Sequence, residues 1–193
     1  MRNKQFLTEQ DVMEDSFRLG VRIFNSGFRP TFIVGLWRGG STVGIYVQEC
    51  LQTLGIKTNH ISIRTSYEGL NAYNETVNNP ERQVRVHGTQ YLLENLNTID
   101  NLLIVDDVFS TGMNVHAVIA RLESRLKRNM PKALKVAALW YKPASRRTER
   151  TPDYFQHKTD NWLVLPYELT GLSSSELEQQ KPYAFEFLKD HVN

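Results

Sequence analysis

One short stretch of the chain constrains the fold more than any other. Leu102 to Val105 form a continuous apolar run, which is typical of a strand buried on both faces of a parallel sheet. Two carboxylates, Asp106 and Asp107, end this run. Ser110-Thr111-Gly112 then turns the chain into residues 115–122, whose apolar spacing is helical. The stretch therefore predicts a buried strand, an acidic pair, a small hydroxylated turn and a helix, in that order.

This arrangement is suited to a sugar phosphate. A turn rich in Ser, Thr and Gly points backbone N–H groups and hydroxyls at one spot, and the start of a helix adds a partial positive charge. The acidic pair at the carboxyl end of the strand can accept hydrogen bonds from vicinal hydroxyls or hold a hydrated Mg²⁺. Since open α/β sheets bind ligands at this edge, we expect the binding site here.

The segment Val-Asp-Asp-Val-Phe-Ser-Thr-Gly, residues 105–112, resembles the phosphoribosyl pyrophosphate (PRPP) motif of the type I phosphoribosyltransferases. The resemblance implies that Asp106 and Asp107 contact the ribose hydroxyls and, through water, Mg²⁺. It assigns the 5′-phosphate to the residues of the loop that follows, which are Ser110, Thr111, Gly112, Met113 and Asn114.

A second strand–turn–helix unit precedes the first along the chain. Residues 31–36 predict a core strand and residues 43–51 a helix, with Trp37-Arg38-Gly39-Gly40 between them. Two glycines permit close backbone approach, and an arginine can pair with a phosphate bidentately. The turn resembles the pyrophosphate loop of the same family, which implies that Trp37, Arg38, Gly39 and Gly40 bind pyrophosphate. Family members often have a non-proline cis peptide at this loop, and we expect it at Leu36–Trp37.

Residues 65–83 form a long polar stretch that predicts a loop. In purine members of the family, a mobile loop that starts near a Ser-Tyr pair closes over PRPP. Ser66 and Tyr67 match that pair, so the resemblance gives them the lid role. Excluding water matters because water competes for the activated ribose.

Two later segments resemble the xanthine-guanine branch of the purine phosphoribosyltransferases. A predicted core strand at 135–141 ends in Lys142-Pro-Ala, and a further segment reads Asp160-Asn-Trp-Leu-Val-Leu-Pro. The resemblance implies that Lys142 donates to purine O6, that Trp162 stacks on the ring and that the Leu163 backbone reads the purine C2 side. A flat heterocycle suits an aromatic face and one or two placed donors.

Three further segments predict scaffold. Thr8-Glu-Gln-Asp11 approximates a capping box and starts a helix that stops at residues 25–27. Residues 57–64 alternate as a strand, on which we expect His60 to lie near the surface and not to bind a ligand. Residues 174–188 predict a terminal helix interrupted at Pro182, to which we assign no chemistry.

The length and composition fit one compact domain over 1–193, and the resemblance implies that it is a phosphoribosyltransferase domain. A chain of 193 residues with 40% hydrophobic content can bury one substantial core. We expect the α/β type I phosphoribosyltransferase fold, with a twisted, mainly parallel sheet flanked by helices over about 28–142 and a small hood from about 1–27 and 143–193. A net charge of +2 is too balanced for a nucleic-acid footprint, so no nucleic acid is expected.

The cellular setting follows from two further features. The single cysteine, Cys50, excludes an internal disulfide and favours a reducing compartment. No apolar run approaches about 18 residues, so no membrane partner is expected. These features predict a soluble cytoplasmic protein, and the family resemblance implies a homodimer or a larger homo-oligomer.

The resemblance implies purine salvage: PRPP and a 6-oxopurine base (hypoxanthine, guanine or xanthine) give the nucleoside 5′-monophosphate and pyrophosphate, with Mg²⁺. Asp106, Asp107, Arg38, Ser66 and Tyr67 form the expected catalytic set. The alternative is a regulator that senses PRPP or a nucleotide on the same fold without efficient catalysis. The balanced charge, the absence of an evident helix-turn-helix and the Ser-Tyr pair favour the enzyme. His spacing supports no metal cluster, and no hydrolase triad is evident.

One residue departs from the family pattern. Most 6-oxopurine members carry an Asp at the position of Ser110, where it is proposed to take the proton from purine N7. Serine does not do so near neutral pH unless a neighbour activates it. Three explanations stay open: the base comes from Asp107 or Glu68, water takes the proton and the enzyme is slower, or the base specificity differs.

Overall fold

The structure is a computed structural model that describes residues 4–67 and 84–191. Most of the predicted lid, including Glu68, lies outside the described residues. Within the described part of the chain, no helix is both long and apolar enough to cross a membrane.

The described residues form eight strands, six α-helices and two 3₁₀ turns. The strands are β1 (Lys4–Phe6), β2 (Phe32–Trp37), β3 (Asn59–Tyr67), β4 (Val84–His87), β5 (Asn101–Phe109), β6 (Ala133–Tyr141), β7 (Tyr154–Lys158) and β8 (Trp162–Val164). The helices are α1 (Glu9–Asn25), α2 (Gly39–Thr53), α3 (Gln90–Asn95), α4 (Met113–Leu126), α5 (Ser174–Gln180) and α6 (Pro182–Leu188). The 3₁₀ turns are Lys127–Asn129 and Pro143–Ser145.

Six strands form the main sheet, in the order β4-β3-β2-β5-β6-β7. All neighbours are parallel except β3 and β4, which pair antiparallel. Each of the central strands β2, β5 and β6 contains a buried apolar run, at residues 32–36, 102–105 and 136–141, as expected of strands covered on both faces. The mainly parallel sheet flanked by helices that the sequence predicts is confirmed.

One hydrophobic cluster of the core lies where α4 packs on the sheet. Val115, Val118, Leu122 and Leu126 form one apolar stripe of α4 at helical spacing, and each is buried against the strands. Apolar side chains of three neighbouring strands complete this core, among them Val34, Leu36, Leu102, Ile104, Val136 and Ala138. This packing fixes the start of α4 at the carboxyl edge of the sheet.

The chain divides into two compact units. The larger contains residues 13–160, and the smaller contains residues 4–12 and 161–191. The smaller unit pairs β1 and β8 in parallel and carries α5 and α6. It therefore draws on both ends of the described chain but is smaller than the predicted hood.

Two predicted boundaries need correction. The strand β5 continues through the acidic pair to Phe109, because β6 stays paired with it as far as Phe109↔Tyr141. The strand β3 includes Thr65, Ser66 and Tyr67, since β4 pairs with all three. The helix that contains the apolar spacing of residues 115–122 begins before that spacing, at Met113, and ends at Leu126.

Both chain-end helix predictions are confirmed. In the capping box, the Thr8 N–H donates to Asp11 Oδ2 at 3.0 Å, and the Asp11 N–H donates to Thr8 Oγ1 at 3.0 Å. The terminal helix is interrupted at Lys181, so that α5 and α6 are separate helices.

Candidate functional site

Two helices begin at the same edge of the main sheet. The strands β2 and β5 are parallel neighbours, with Gly35 opposite Val105, and both point their carboxyl ends at this edge. The helix α2 starts two residues after β2, and α4 starts four residues after β5. The positive ends of two helices of 15 and 14 residues therefore lie beside adjacent strands, an arrangement that favours anions.

The acidic pair lies beyond the point where β2 stops pairing with β5. Asp106 is paired with Ala138 of β6 and is only 9% exposed. Its Oδ1 accepts the Asp107 N–H at 3.1 Å, and Asp107 Oδ1 accepts the Val108 N–H at 2.7 Å. Burial, reinforced by the adjacent charge of Asp107, raises the pKa of Asp106 well above its usual range. A cationic or hydroxyl-bearing ligand would stabilise the charged form of this carboxyl.

Glycines bring the two motifs into contact. A Cβ on Gly40 would lie 3.2 Å from Asp106 Oδ1, and a Cβ on Gly35 would lie 2.8 Å from the Gly40 carbonyl oxygen. Hydrogen in place of a methyl group at both positions lets the first turn of α2 rest on the ends of β2 and β5. The predicted pyrophosphate loop and the predicted ribose-binding pair are thus direct neighbours.

The pyrophosphate loop contains the expected cis peptide, at a different bond. It joins Trp37 to Arg38, so the prediction of Leu36–Trp37 is wrong by one residue. Arg38 is the residue that precedes α2, and Gly39 opens the helix. The Trp37 side chain is 56% exposed although it ends a buried strand, so its indole lies at the surface beside this loop.

The predicted phosphate loop, residues 110–114, turns sharply at Gly112. This glycine has φ +79° and directly precedes α4, a conformation that suits glycine. Thr111 Oγ1 accepts the Met113 N–H at 3.3 Å, while Ser110, Met113 and Asn114 are partly exposed around the turn. The predicted loop residues are therefore together at the positive end of α4.

A segment that the sequence analysis did not single out covers this loop. The Arg147 N–H donates to the Thr111 carbonyl at 2.9 Å, and a Cβ on Gly112 would lie 2.3 Å from Thr148 Oγ1. The Lys142 N–H donates to the Phe109 carbonyl at 2.9 Å, which places the Lys142 backbone beside the loop, while its role toward purine O6 stays a prediction. No periodicity or motif in residues 146–148 signals these contacts, because they depend on how the chain returns after β6.

The two predicted lid residues lie at the end of β3. Ser66 pairs with Arg85, and Tyr67 pairs with Val84. The Ser66 hydroxyl and His87 Nε2 are 2.9 Å apart and share a hydrogen bond. The described part of the predicted lid, residues 65–67, is therefore the end of β3 and pairs antiparallel with β4. The lid role itself stays a prediction.

The two predicted base-contacting residues of the later segment belong to the smaller unit. Trp162 begins β8, opposite Lys4 of β1, and is 53% exposed. Leu163 follows opposite Gln5 and is buried. An aromatic face is therefore available at the surface of that unit, while the Leu163 side chain is part of its interior.

The acidic pair fits the type of magnesium site in which substrate and water supply most ligands. Among the described residues, no group of three or more His, Cys, Asp or Glu side chains could hold a metal ion by itself. Two adjacent carboxylates at the edge of the sheet match a cation that retains several waters and binds substrate phosphates. Asp106 and Asp107 would hold Mg²⁺ in this way.

Comparison with known proteins agrees with the geometry. A model of the phosphoribosyl transferase domain family matches residues 3–170. The fold resembles the purine phosphoribosyltransferase of Pyrococcus horikoshii Ot3, with a TM-score of 0.64 and 24% identity over 88% of this chain and 97% of that one. It also resembles the xanthine-guanine-hypoxanthine phosphoribosyltransferase of Helicobacter pylori. The TM-score is 0.63, with 15% identity over 99% of this chain and 100% of that one.

A third similar structure is a hypothetical protein from Neisseria gonorrhoeae with bound ppGpp. Its TM-score is 0.70, with 18% identity over 95% of this chain and 98% of that one. At these identities the three likenesses establish the fold.

Two curated relatives, one human and one from Xenopus tropicalis, are both named phosphoribosyltransferase domain-containing protein 1. The human protein is 27% identical over 74% of this chain, and the Xenopus tropicalis protein is 35% identical over 36% of it. The matched segments cover 60% of the human protein and 29% of the frog protein, so the chain matches less than two thirds of either relative.

Proposed function

Because the chain belongs to the phosphoribosyl transferase domain family, we propose that it transfers the 5-phosphoribosyl group of PRPP to a 6-oxopurine base. The products are the nucleoside 5′-monophosphate and pyrophosphate. One observation carries the proposal: the acidic pair lies between two helix starts, and Gly40 packs directly on Asp106. PRPP carries a 5′-phosphate on one side of its ribose and a pyrophosphate on the other, and the proposed site pairs each of these anions with one of the two helix starts and the ribose hydroxyls with the acidic pair.

The chain's own residues hold the three parts of PRPP in this proposal. The start of α4, with Thr111 and Gly112, binds the 5′-phosphate through backbone N–H groups and hydroxyls. The start of α2, with Arg38 and Gly39, binds pyrophosphate. The carboxylates Asp106 and Asp107 accept hydrogen bonds from the ribose hydroxyls between them.

Electrostatics then favours the reaction. As the bond from the ribose C1 to pyrophosphate weakens, positive charge develops on the sugar, and carboxylates held nearby stabilise it. Mg²⁺, when bound, neutralises charge on the leaving pyrophosphate. Ser66 and Tyr67, at the end of β3, would contribute to excluding water from the site.

The base-contacting roles rest on the resemblance of two segments. Lys142 would donate to the purine O6, and its backbone position beside Phe109 supports a place next to the phosphate loop. Trp162 would stack on the ring, and the Leu163 backbone would face purine C2. The exposure of the Trp162 side chain supports the stacking role.

Because residue 110 is a serine and not an aspartate, another group must take the proton from purine N7. In the described residues, Asp107 is the candidate within the phosphoribosyl site, and its Oδ1 already accepts the Val108 N–H. We propose that Asp107 assists the proton transfer and that turnover is slower than it would be with a carboxylate at residue 110.

The deciding experiment measures product formation with PRPP and Mg²⁺. Hypoxanthine, guanine, xanthine, adenine and uracil are offered separately, and Ser110→Asp is assayed in parallel. Formation of a 6-oxopurine nucleotide supports the proposal, and a faster Ser110→Asp variant identifies proton removal as limiting. Reaction with adenine or uracil alone would refute the roles of Lys142 and Trp162. Asp107→Asn and Arg38→Ala should each reduce turnover by about a hundredfold or more.

A second candidate function is a sensor of PRPP or of a nucleotide. One observation favours it: the Neisseria protein of similar fold holds ppGpp, a guanine nucleotide rich in phosphate. Binding of PRPP or ppGpp by calorimetry, without turnover of any base, would support the sensor over the enzyme.

We also propose that the protein is cytoplasmic and acts as a homodimer or a larger homo-oligomer. The buried free thiol of Cys50 is consistent with a reducing compartment. Light scattering coupled to size-exclusion chromatography measures the assembly, and a monomer at micromolar concentration would refute it.

A further inference from the structure

We propose that the C-terminal helices α5 and α6 position the strand β8, with Lys181 as the positioning residue, and so tune affinity for the base. This inference rests on the proposed function, because β8 carries Trp162 and Leu163. All of its contacts lie within the smaller unit.

Lys181 is an unusual lysine. It is only 2% exposed, although lysine is seldom buried without a specific partner. Its Nζ donates to the Leu165 carbonyl at 2.8 Å and to the Pro166 carbonyl at 3.0 Å. Burial lowers the pKa of Lys181, while the nearby carboxylates Glu168 and Glu9 favour its charged form. A buried ammonium therefore holds two successive carbonyls at the end of β8.

Other groups fix the same turn. The Leu165 N–H donates to Glu168 Oε2 at 2.9 Å, and the Glu168 N–H donates to the Leu165 carbonyl at 3.0 Å. The Tyr183 hydroxyl donates to the Pro166 carbonyl at 3.1 Å. Lys181, which joins α5 to α6, and Tyr183 of α6 thus hold the turn directly after β8, which limits how far the strand can move.

The start of β8 is held through a different contact. The strand β1 pairs with it in parallel, with Lys4 opposite Trp162. Lys4 Nζ also lies 2.6 Å from Glu176 Oε1 in α5. The helix pair is therefore linked to β8 at both ends, through β1 at Trp162 and through Lys181 at Leu165.

The range matched by the family model ends at residue 170, whereas Glu176, Lys181 and Tyr183 all follow it. These three anchors of β8 thus come from a segment outside the matched range, whereas Lys4 and Glu168 lie inside it. A base that stacks on Trp162 depends on the position of this strand, and small displacements of a binding group have large effects.

The test compares Lys181→Met with the wild type and with Lys189→Met, which removes an exposed lysine of the same region that pairs with Glu186. Steady-state kinetics are recorded well below the melting temperature of each variant. We expect Lys181→Met to raise KM for the base about tenfold, with KM for PRPP changed less than about twofold. Lys189→Met should change neither. A lower melting temperature with both KM values unchanged would overturn the proposal.

A readout independent of turnover separates this inference from the proposed function. The NMR resonance of the Trp162 indole N–H is assigned by its loss in Trp162→Phe. Its chemical shift should change in Lys181→Met and stay the same in Lys189→Met. If the wild type shows no turnover, the proposed function fails, and the indole signal still decides the positioning role. An unshifted signal overturns it.

Two milder variants cover the case in which Lys181→Met does not fold. Tyr183→Phe removes the second donor to Pro166, and Glu176→Gln removes the ion pair with Lys4. Each should raise KM for the base about twofold to threefold and shift the Trp162 signal. If both variants leave KM for the base and the Trp162 signal unchanged, the proposal is overturned.

Discussion

Gly40 packs on Asp106 so closely that a Cβ on residue 40 would lie 2.9 Å from the Asp106 Cα and 2.5 Å from the Val105 carbonyl oxygen. These are backbone atoms of a central strand, so they cannot move aside. We expect Gly40→Ala to push α2 away from β5, to lower the free energy of unfolding by about 1–3 kcal/mol and to raise KM for PRPP. Urea denaturation measures the free energy of unfolding, and steady-state kinetics measure KM for PRPP.

Glu49→Ala is the control for this change, since Glu49 lies on the exposed side of the same helix. It should leave stability and KM for PRPP unchanged. Equal behaviour of Gly40→Ala and Glu49→Ala would contradict the close packing.

A second prediction concerns the phosphate loop. Gly112→Ala adds a methyl group that meets Thr148 Oγ1, at a residue whose φ is +79°. The matched control is Gly88→Ala, because Gly88 also has φ +79° but has nothing within 4 Å of its Cβ position. Both variants should lose about 1 kcal/mol of stability from the backbone conformation, whereas only Gly112→Ala should also raise KM for PRPP. Identical thermal shifts and kinetics in the two would show that Thr148 does not restrict the loop.

A third prediction is that the stability of the folded protein depends on pH through His60. Its Nδ1 pairs with Gln48 Oε1 at 3.2 Å, and its buried Nε2 has no hydrogen-bond partner among the described residues. Burial lowers the pKa of His60 in the folded protein, so below pH about 6.5 the unfolded chain binds more protons. This contribution to stability is present above that pH and is lost as the pH falls, by at most about 1.4 kcal/mol per pH unit.

The measurement is the free energy of unfolding between pH 7.5 and 5, taken for the wild type and for His60→Gln. The variant should lose less stability on acidification than the wild type. Parallel curves would mean that the His60 ring is protonated as readily in the folded protein as in the unfolded chain.

A fourth prediction concerns the contact between α1 and β7. Asp15 is 7% exposed, and its carboxylate accepts from His157 at 2.6 Å and from Arg18 at 2.7 Å. The His157 ring also stacks on Trp140, with centroids 4.3 Å apart. Asp15→Ala leaves these donors without their acceptor and should cost about 1–3 kcal/mol of stability.

Glu14→Ala is the matched control, because Glu14 pairs with the same Arg18 from an exposed position. It should cost less than about 0.5 kcal/mol in urea denaturation. If the two variants cost the same, the partly buried pair between Asp15 and His157 contributes nothing measurable to stability.

The sequence by itself determined the main secondary-structure elements and the residue types of the two loops. Apolar runs at 102–105 and 135–141 indicated buried parallel strands, because only a sheet covered on both faces permits such runs. The acidic pair and the glycine-rich turns are local in sequence, so their residue types and order identify them without a structure. The capping box at Thr8 and the break before Pro182 are local in the same sense and were predicted correctly.

Only the tertiary structure decided what lies against these segments. The continuation of β5 past Asp106 depends on pairing with β6, and the extension of β3 to Tyr67 depends on β4. The ring of His60, expected near the surface, turns its Nε2 into the interior because α2 packs over it at Gly44. The burial of Lys181 also depends on residues distant in the chain, since its acceptors lie 15 and 16 positions away. Such contacts arise from chain return and packing, which leave no periodic signal in a single sequence.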